Sequence, residues 1–222
     1  MASAALDIST KGLIEIMSHE GVCLSPYLDS VGVWTIGVGI TKYDGKDPRD
    51  FGAITMDQAI QMFKDRIRSY VLPVQKLGLK LTQEQFDALV SFCFNCGPGN
   101  LKKLTTGRSV NAIGTALMLY TKPKEITPRR QKEQALYQYG KYSSNGKVLV
   151  FPVSKANKPV YSKGVTVDAL HYLSQAPAPV APPKPAPAVI AEPTMEQSWL
   201  DVDLMPGEGR LTLRDILEKL GG

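Results

Sequence analysis

Glu20 and Asp29, nine positions apart, and Thr35, six further on, are the residues of this chain best suited to chemistry. Glu20 falls where a first helix ends, just before Gly21. The negative end of the helix macrodipole disfavours a charged carboxylate there. Asp29 opens the turn signal Asp29-Ser30-Val31-Gly32, where free backbone N–H groups and water favour the charged form. Two carboxyls with opposed protonation preferences supply an acid and a base for one site. Thr35 adds a hydroxyl able to hold a water molecule. Acidic residues at helix ends and turns are also commonplace as solvated groups, and the spacing alone serves either reading.

Other reactive residues fit their surroundings as structure. Cys93-Phe94-Asn95-Cys96 has the C-x-x-C spacing but falls inside a helical pattern with no redox-type strand before it. Cys23, His19 and His171 do not complete a zinc set. Buried free thiols and no zinc site are therefore expected. His19, beside Glu20, suits a helix C-terminus without a chemical role. Phe92, Phe94, Tyr137 and Tyr139 do not interleave with Lys or Arg as a nucleic-acid platform would.

The elements that must position these side chains are legible from periodicity. Thr10 can cap a helix to about His19, with Leu13, Ile14, Ile16 and Met17 as its apolar side. Pro26-Tyr27-Leu28 and the β-branched run from Val33 to Gly39 read as hairpin arms about the Asp29 turn. At Thr55 the period changes to 3.6, with a capping box at Thr55 to Gln58 and Pro73 expected to close that helix. Thr82 to Gln85 opens a second helix, apolar around most of its circumference, with Gly97 as its expected C-cap. A shorter helix is expected over about Val110 to Tyr120. Another starts at Thr127-Pro128 and stops at Gly140. The predicted class is α+β, mostly α, with its strands gathered in an N-terminal lobe.

The string His19-Glu20-Gly21 … Tyr27-Leu28-Asp29 … Trp34-Thr35-Ile36-Gly37-Val38-Gly39 resembles the active-site signature of the phage-type lysozymes, glycoside hydrolase family 24. Ser91 to Gly99 resembles that family's central-helix motif, and Pro128-Arg129-Arg130-Gln131-Lys132-Glu133 its late Arg-Arg-x-x-Glu helix. The three come in the family's order over about residues 10–140. The resemblance implies a lysozyme-like fold with a small N-terminal β-lobe, a connecting helix, a helical C-terminal lobe and a substrate cleft between them. It implies an N-acetylmuramidase cleaving the β-1,4 bond between N-acetylmuramic acid and N-acetylglucosamine in bacterial peptidoglycan, with inversion and with no metal or organic cofactor. Glu20 would then protonate the glycosidic oxygen, Asp29 would position or activate water, and Thr35 would help hold it. Phe94 and Arg130 fall at positions that line or approach the family's cleft. Phe94 reads equally as a core aromatic, and Arg130 as a surface charge.

The chain departs from the family at Ile40, where a histidine commonly follows the Gly-x-Gly. It departs again after Gly99, where Asn100-Leu101-Lys102-Lys103-Leu104 replaces an aromatic-then-Ser-Thr pattern. Nothing past residue 143 matches the core family.

The 222 residues, 43% apolar and 21% charged, describe a globular chain, and no apolar run is long enough for a membrane helix. The expected organisation is a catalytic domain over 1–142, a basic extension over 143–173 packed on or following it, with strand-like runs at Val148-Leu149-Val150-Phe151 and Val165-Thr166-Val167, an Ala/Pro-rich linker over 174–193 and an acidic amphipathic tip over 194–222. Residues 1–142 carry 18 Lys/Arg against 13 Asp/Glu, and residues 143–173 carry 4 against 1. Residues 194–222 carry 3 against 6. A basic body suits a polyanion such as the cell wall, and a short helix in the tip needs a docking partner to persist, such as a virion protein. A monomer is the default. With no secretory signal in evidence, the enzyme is expected in the host cytoplasm on synthesis, reaching the wall through a holin-type lesion, or else carried in the virion. Three rival readings remain: a lytic transglycosylase, a non-catalytic wall-binding module, and a nucleic-acid binder using the basic face.

Overall fold

Ser9, rather than Thr10, starts the first helix. In the computed structural model, which describes residues 5–174, α1 spans Thr10–Glu20 and the Ser9 Oγ accepts the Gly12 N–H at 3.0 Å. Tertiary contact selects that cap. Ser9 N–H donates to Asp87 Oδ1 at 3.1 Å, its hydroxyl donates to Asp87 Oδ2, and Tyr142 adds a third bond to the same carboxylate at 2.7 Å. The start of α1 is thereby fastened to a central helix, and Leu13, Ile14, Ile16 and Met17 are buried as their spacing predicts.

After α1 the chain turns through Gly21 into β1 (Cys23–Leu28), which pairs antiparallel with β2 (Trp34–Gly37). Tyr27 lies opposite Thr35 and Leu28 opposite Trp34, so the Asp29 turn joins the strands at their paired ends. The departure from the family histidine at Ile40 is absorbed in the core. Ile40 is buried and exchanges both main-chain hydrogen bonds with Ile36, at 2.8 and 2.9 Å.

α2 (Met56–Gln75) opens with the Thr55–Gln58 capping box. Pro73 lies inside its last turn instead of ending it. A proline there forgoes one hydrogen bond to the Ser69 carbonyl, and Ser69 is exposed where water can serve instead. α3 (Gln83–Thr105) has the Thr82–Gln85 box and breaks at Gly97, whose φ of 80° and ψ of 163° are not helical. Helical structure resumes at once through Pro98, which needs no N–H partner in a first turn. Gly97 is thus a break within a longer element and not a terminus.

The expected helix to Tyr120 is α-helical only as α4 (Val110–Ala116), with a 3-10 turn over Leu117–Leu119. α5 (Thr127–Tyr139) stops at Gly140, as expected, in a left-handed conformation. Its start differs: a 3-10 turn over Lys124–Ile126 runs directly into it, so Thr127 is the first helical residue and caps nothing. α3 packs against α1, α2, α4 and α5 and carries the buried Phe86, Leu89, Val90 and Phe92 at the centre.

The strands are not confined to the N-terminal lobe. β3 (Lys147–Val150) pairs with β4 (Val165–Asp168) in a second antiparallel sheet, followed by α6 (Ala169–Ser174). Residues 143–174 lie in one compact unit with the preceding chain and share its core through Val148 and Ala169. Glu15, 1% exposed on α1, receives the N–H of Ser143 at 2.9 Å, its hydroxyl at 2.6 Å and the N–H of Ser144 at 2.9 Å. The linker beyond Ser174 and the acidic tip lie outside the described residues. Among the described residues, no helix is long and apolar enough to cross a membrane.

Candidate active site

Glu20 is the last residue of α1, and its side chain is about a quarter exposed. Arg129, from the first turn of α5, donates to Glu20 Oε1 at 2.5 Å. The same guanidinium donates through Nε to Glu133 Oε1 at 3.0 Å. Ser91 Oγ donates to that Glu133 oxygen at 2.7 Å, and Arg130 Nη1 donates to Glu133 Oε2. Arg129 and Arg130 stand four and three residues before Glu133, so one helix face presents all three charges together. Burial works against the Arg129 charge, but the carboxylates of Glu20 and Glu133 outweigh it and hold the guanidinium above its ordinary pKa. The Glu133 carboxyl is pushed up by burial, against the pull of both arginines.

Arg130 does not line an open surface. It is fully buried, donates to Asn95 Oδ1 as well as to Glu133, and lies 4.9 Å over the Phe92 ring. The guanidinium that reaches Glu20 belongs to its neighbour. The Arg-Arg pair was visible in the sequence, but helix phase decides which arginine faces α1, and a start one residue off reverses the choice. Phe94 packs edge-on against Phe63 and Tyr70, with ring centroids 5.8 and 5.0 Å away, in the layer between α2 and α3. Next to it, Asn95 lines an open groove of about 530 Å³ with Asn100, Tyr120, Lys122 and Glu125. Its walls come from α3, whose Ser91 to Gly99 run carried the family's central-helix motif, and from the segment before α5, where sequence pattern pointed to no site.

Asp29 is held by its own turn. Its Oδ1 accepts the N–H groups of Val31 at 2.9 Å and Val33 at 2.8 Å, and its N–H donates to Val33 O at 3.0 Å. Gly32, with φ of 83°, supplies the left-handed residue that this tight loop requires. Thr35 is 3% exposed, and its hydroxyl donates to Val33 O at 3.1 Å, leaving its oxygen free to accept. The Asp29 turn, Thr35 and the end of β1 are therefore one hydrogen-bonded unit.

Tyr27, opposite Thr35, is within electrostatic reach of both carboxyls. Burial raises its phenol pKa, and the charges of Cys23, Glu20, Tyr161 and Asp29 raise it further, so Glu20 and Asp29 both bear on one ring. Gly39 packs beside the Glu20 carboxyl: a methyl group at that position would be in van der Waals contact with Glu20 Oε2, at 3.9 Å.

His19 is buried, and its pKa is lowered to about 3 by burial first and then by the charges of Arg129, Lys132 and Arg130. It is therefore neutral, although Glu15 lies 3.5 Å away. Cys23, Cys93 and Cys96 are free thiols. Burial raises the Cys23 thiol to about 11 and the Cys93 thiol to about 12, which leaves neither a reactive thiolate at neutral pH. Among the described residues, no group of three His, Cys, Asp or Glu is placed to hold a metal ion.

Known proteins match the same region. The endolysin of Salmonella phage P22 is 33% identical over 143 residues, covering 60% of this chain and 98% of the relative. The endolysin of Bacillus phage B103 is 30% identical over 179 residues, 74% of this chain and 67% of that protein. Among solved structures, an endolysin from Escherichia coli O157:H7 phage FAHEc1 superposes with a TM-score of 0.58 at 30% identity, over 64% of this chain and all of that one. The phage lysozyme family model matches residues 17–133, from the last turn of α1 to the glutamate that anchors the two arginines. The chain belongs to the phage lysozyme family.

Proposed function

We propose that Glu20 is the general acid, and that Asp29 and Thr35 hold and activate the water, in inverting hydrolysis of the muramic acid to glucosamine β-1,4 bond. The family makes the chain a glycoside hydrolase of the muramidase type, acting on peptidoglycan. The observation supporting the residue roles is that Glu20 ends α1 with its carboxyl tied to Arg129, while Asp29 and Thr35 share one hydrogen-bonded hairpin turn that follows directly from it. Arg129 fixes the Glu20 carboxyl from the far side and leaves Oε2 for the glycosidic oxygen. Asp29 Oδ1 is occupied by two backbone N–H groups, which leaves Oδ2 to accept a proton from water. An acid on one face and a water held by a carboxylate on the other is the arrangement inversion needs, with the carboxyls roughly 6.5–9.5 Å apart. The basic surface draws the enzyme to the anionic wall, where it acts after release from the host cytoplasm.

Mass spectrometry of digested sacculi tests the reaction. Reducing muramic acid ends are expected, and 1,6-anhydro ends would mean transglycosylation. Product from water enriched in heavy oxygen carries the label at the muramic anomeric carbon, and α-anomer as the first product confirms inversion. Undiminished clearing of sacculi by Glu20→Gln would remove the acid role.

A further inference from the structure

Residues 149–158 touch the catalytic segment at both of its ends. At the Glu20 end, an isolated parallel bridge joins Val22, just before β1, to Val150 at the end of β3: Val22 N–H donates to Leu149 O at 2.9 Å, and Phe151 N–H to Val22 O at 2.8 Å. The Phe151 ring fills the space beside Gly21, where a Cβ would stand 2.5 Å from the ring. Gly21 also has φ of 72°, so both its backbone and its neighbour demand glycine directly after the acid.

At the Asp29 end, the chain returns in a tight loop closed by Ser154 N–H to Lys158 O at 2.9 Å and Asn157 N–H to Ser154 O at 2.9 Å. Leu28 N–H donates to Asn157 O at 2.7 Å. Lys158 Nζ donates to Asp29 O at 3.1 Å and to Leu28 O at 3.4 Å. Asn157, with φ of 56°, adopts a conformation that asparagine tolerates far better than β-branched residues do. These bonds use the outer edge of β1, because Asp29 N–H and the Leu28–Trp34 pairing occupy the inner one.

We propose that Lys158, with the Asn157 carbonyl, is a positioning element for Asp29, so that the C-terminal extension sets the placement of the water-activating carboxylate relative to Glu20. The inference rests on the role assigned to Asp29 above. Its reason is geometric. The Asp29 turn is exposed and otherwise held only by its own backbone, and the family model ends at Glu133, well before the residues that brace it. An ammonium shared between two successive carbonyls fixes the direction of the peptide from which the carboxylate projects. A displacement of about 1 Å at a reacting group is enough to cost roughly a hundredfold in rate.

The experiment compares the full-length wild type with Lys158→Met, Lys158→Arg, Asn157→Gly, Asn157→Val and Asp29→Asn, measuring kcat and apparent KM on purified sacculi and Tm by circular dichroism. Lys158→Met is expected to lower kcat about tenfold, with apparent KM within twofold and Tm within about 2 °C of wild type. Lys158→Arg, which keeps a donor and a charge, should retain at least half of kcat. Asn157→Gly should behave as wild type, and Asn157→Val should follow Lys158→Met. Wild-type kcat in Lys158→Met overturns the proposal, as does a loss carried entirely by KM or Tm or a loss not rescued by arginine. If Asp29→Asn is inactive while Lys158→Met is not impaired, the brace fails and the role of Asp29 stands. A fully active Asp29→Asn removes both.

Discussion

Glu20 and Asp29 are held in opposite ways. Glu20 is tied across 109 residues to Arg129, behind which lie Glu133, Arg130, Ser91 and Asn95, nearly all of it buried. Asp29 is held by amides two and four residues away, in an exposed turn. Glu20, the proposed acid, is thus coupled to the stability of the helical core, whereas Asp29, proposed to handle the water, is coupled to its own loop and to the chain beside it. Damage to the buried network behind Glu20 should unfold as well as inactivate, and damage to the Asp29 turn should inactivate alone.

The largest expected effect is on Glu20 itself. Glu20→Gln should lower turnover of sacculi about a thousandfold, in the range general acid catalysis supplies. The amide still accepts a hydrogen bond from Arg129, so the fold should survive. Glu133→Gln should expose the coupling: it removes the carboxylate paired with the buried Arg130 and one of the two paired with Arg129, at a cost of about 3 kcal/mol or more. Urea denaturation would read that as a lower midpoint with an unchanged slope. An unchanged midpoint would break the contrast between the two carboxyls.

Asp29→Asn sharpens it from the other side. Asparagine keeps the Oδ1 that accepts both turn amides, so activity should fall about a hundredfold with Tm unmoved. A Tm shift as large as that of Glu133→Gln would show the turn to be wired into the core after all.

The smallest effect concerns pH. His19 has a folded pKa of about 3, lowered from 6.5, so the unfolded chain binds a proton that the folded chain refuses. The stability this confers is complete above pH 6.5 and is lost progressively as pH falls towards 3. At neutral pH the substitution should change little; thermal unfolding over that window should show a shallower decline for His19→Gln than for wild type.

Much of this was legible in local pattern. The Thr55 and Thr82 capping boxes, the Gly140 stop and the Asp29 turn each depend on residues within four positions of one another, and each formed as the sequence implied. The misses share one cause. Ser9 displaced Thr10 as a cap because Asp87, 78 residues away, bonds it. Gly97 interrupted a helix without ending it, because Leu101 and Leu104 beyond the break are buried in the same core. Arg130 turned inward and Arg129 towards Glu20 because the phase of α5 was set by its packing on α3.

The sequence by itself determined most of the helices, the hairpin and the Asp29 turn between its arms, because capping, turn chemistry and apolar spacing act over a few residues. Only the tertiary structure decided which arginine meets Glu20, and that the residues after 143 bridge to Val22 just before β1 and reach the Asp29 turn. Those outcomes depend on which distant surfaces exclude water together, and short-range pattern holds no record of them.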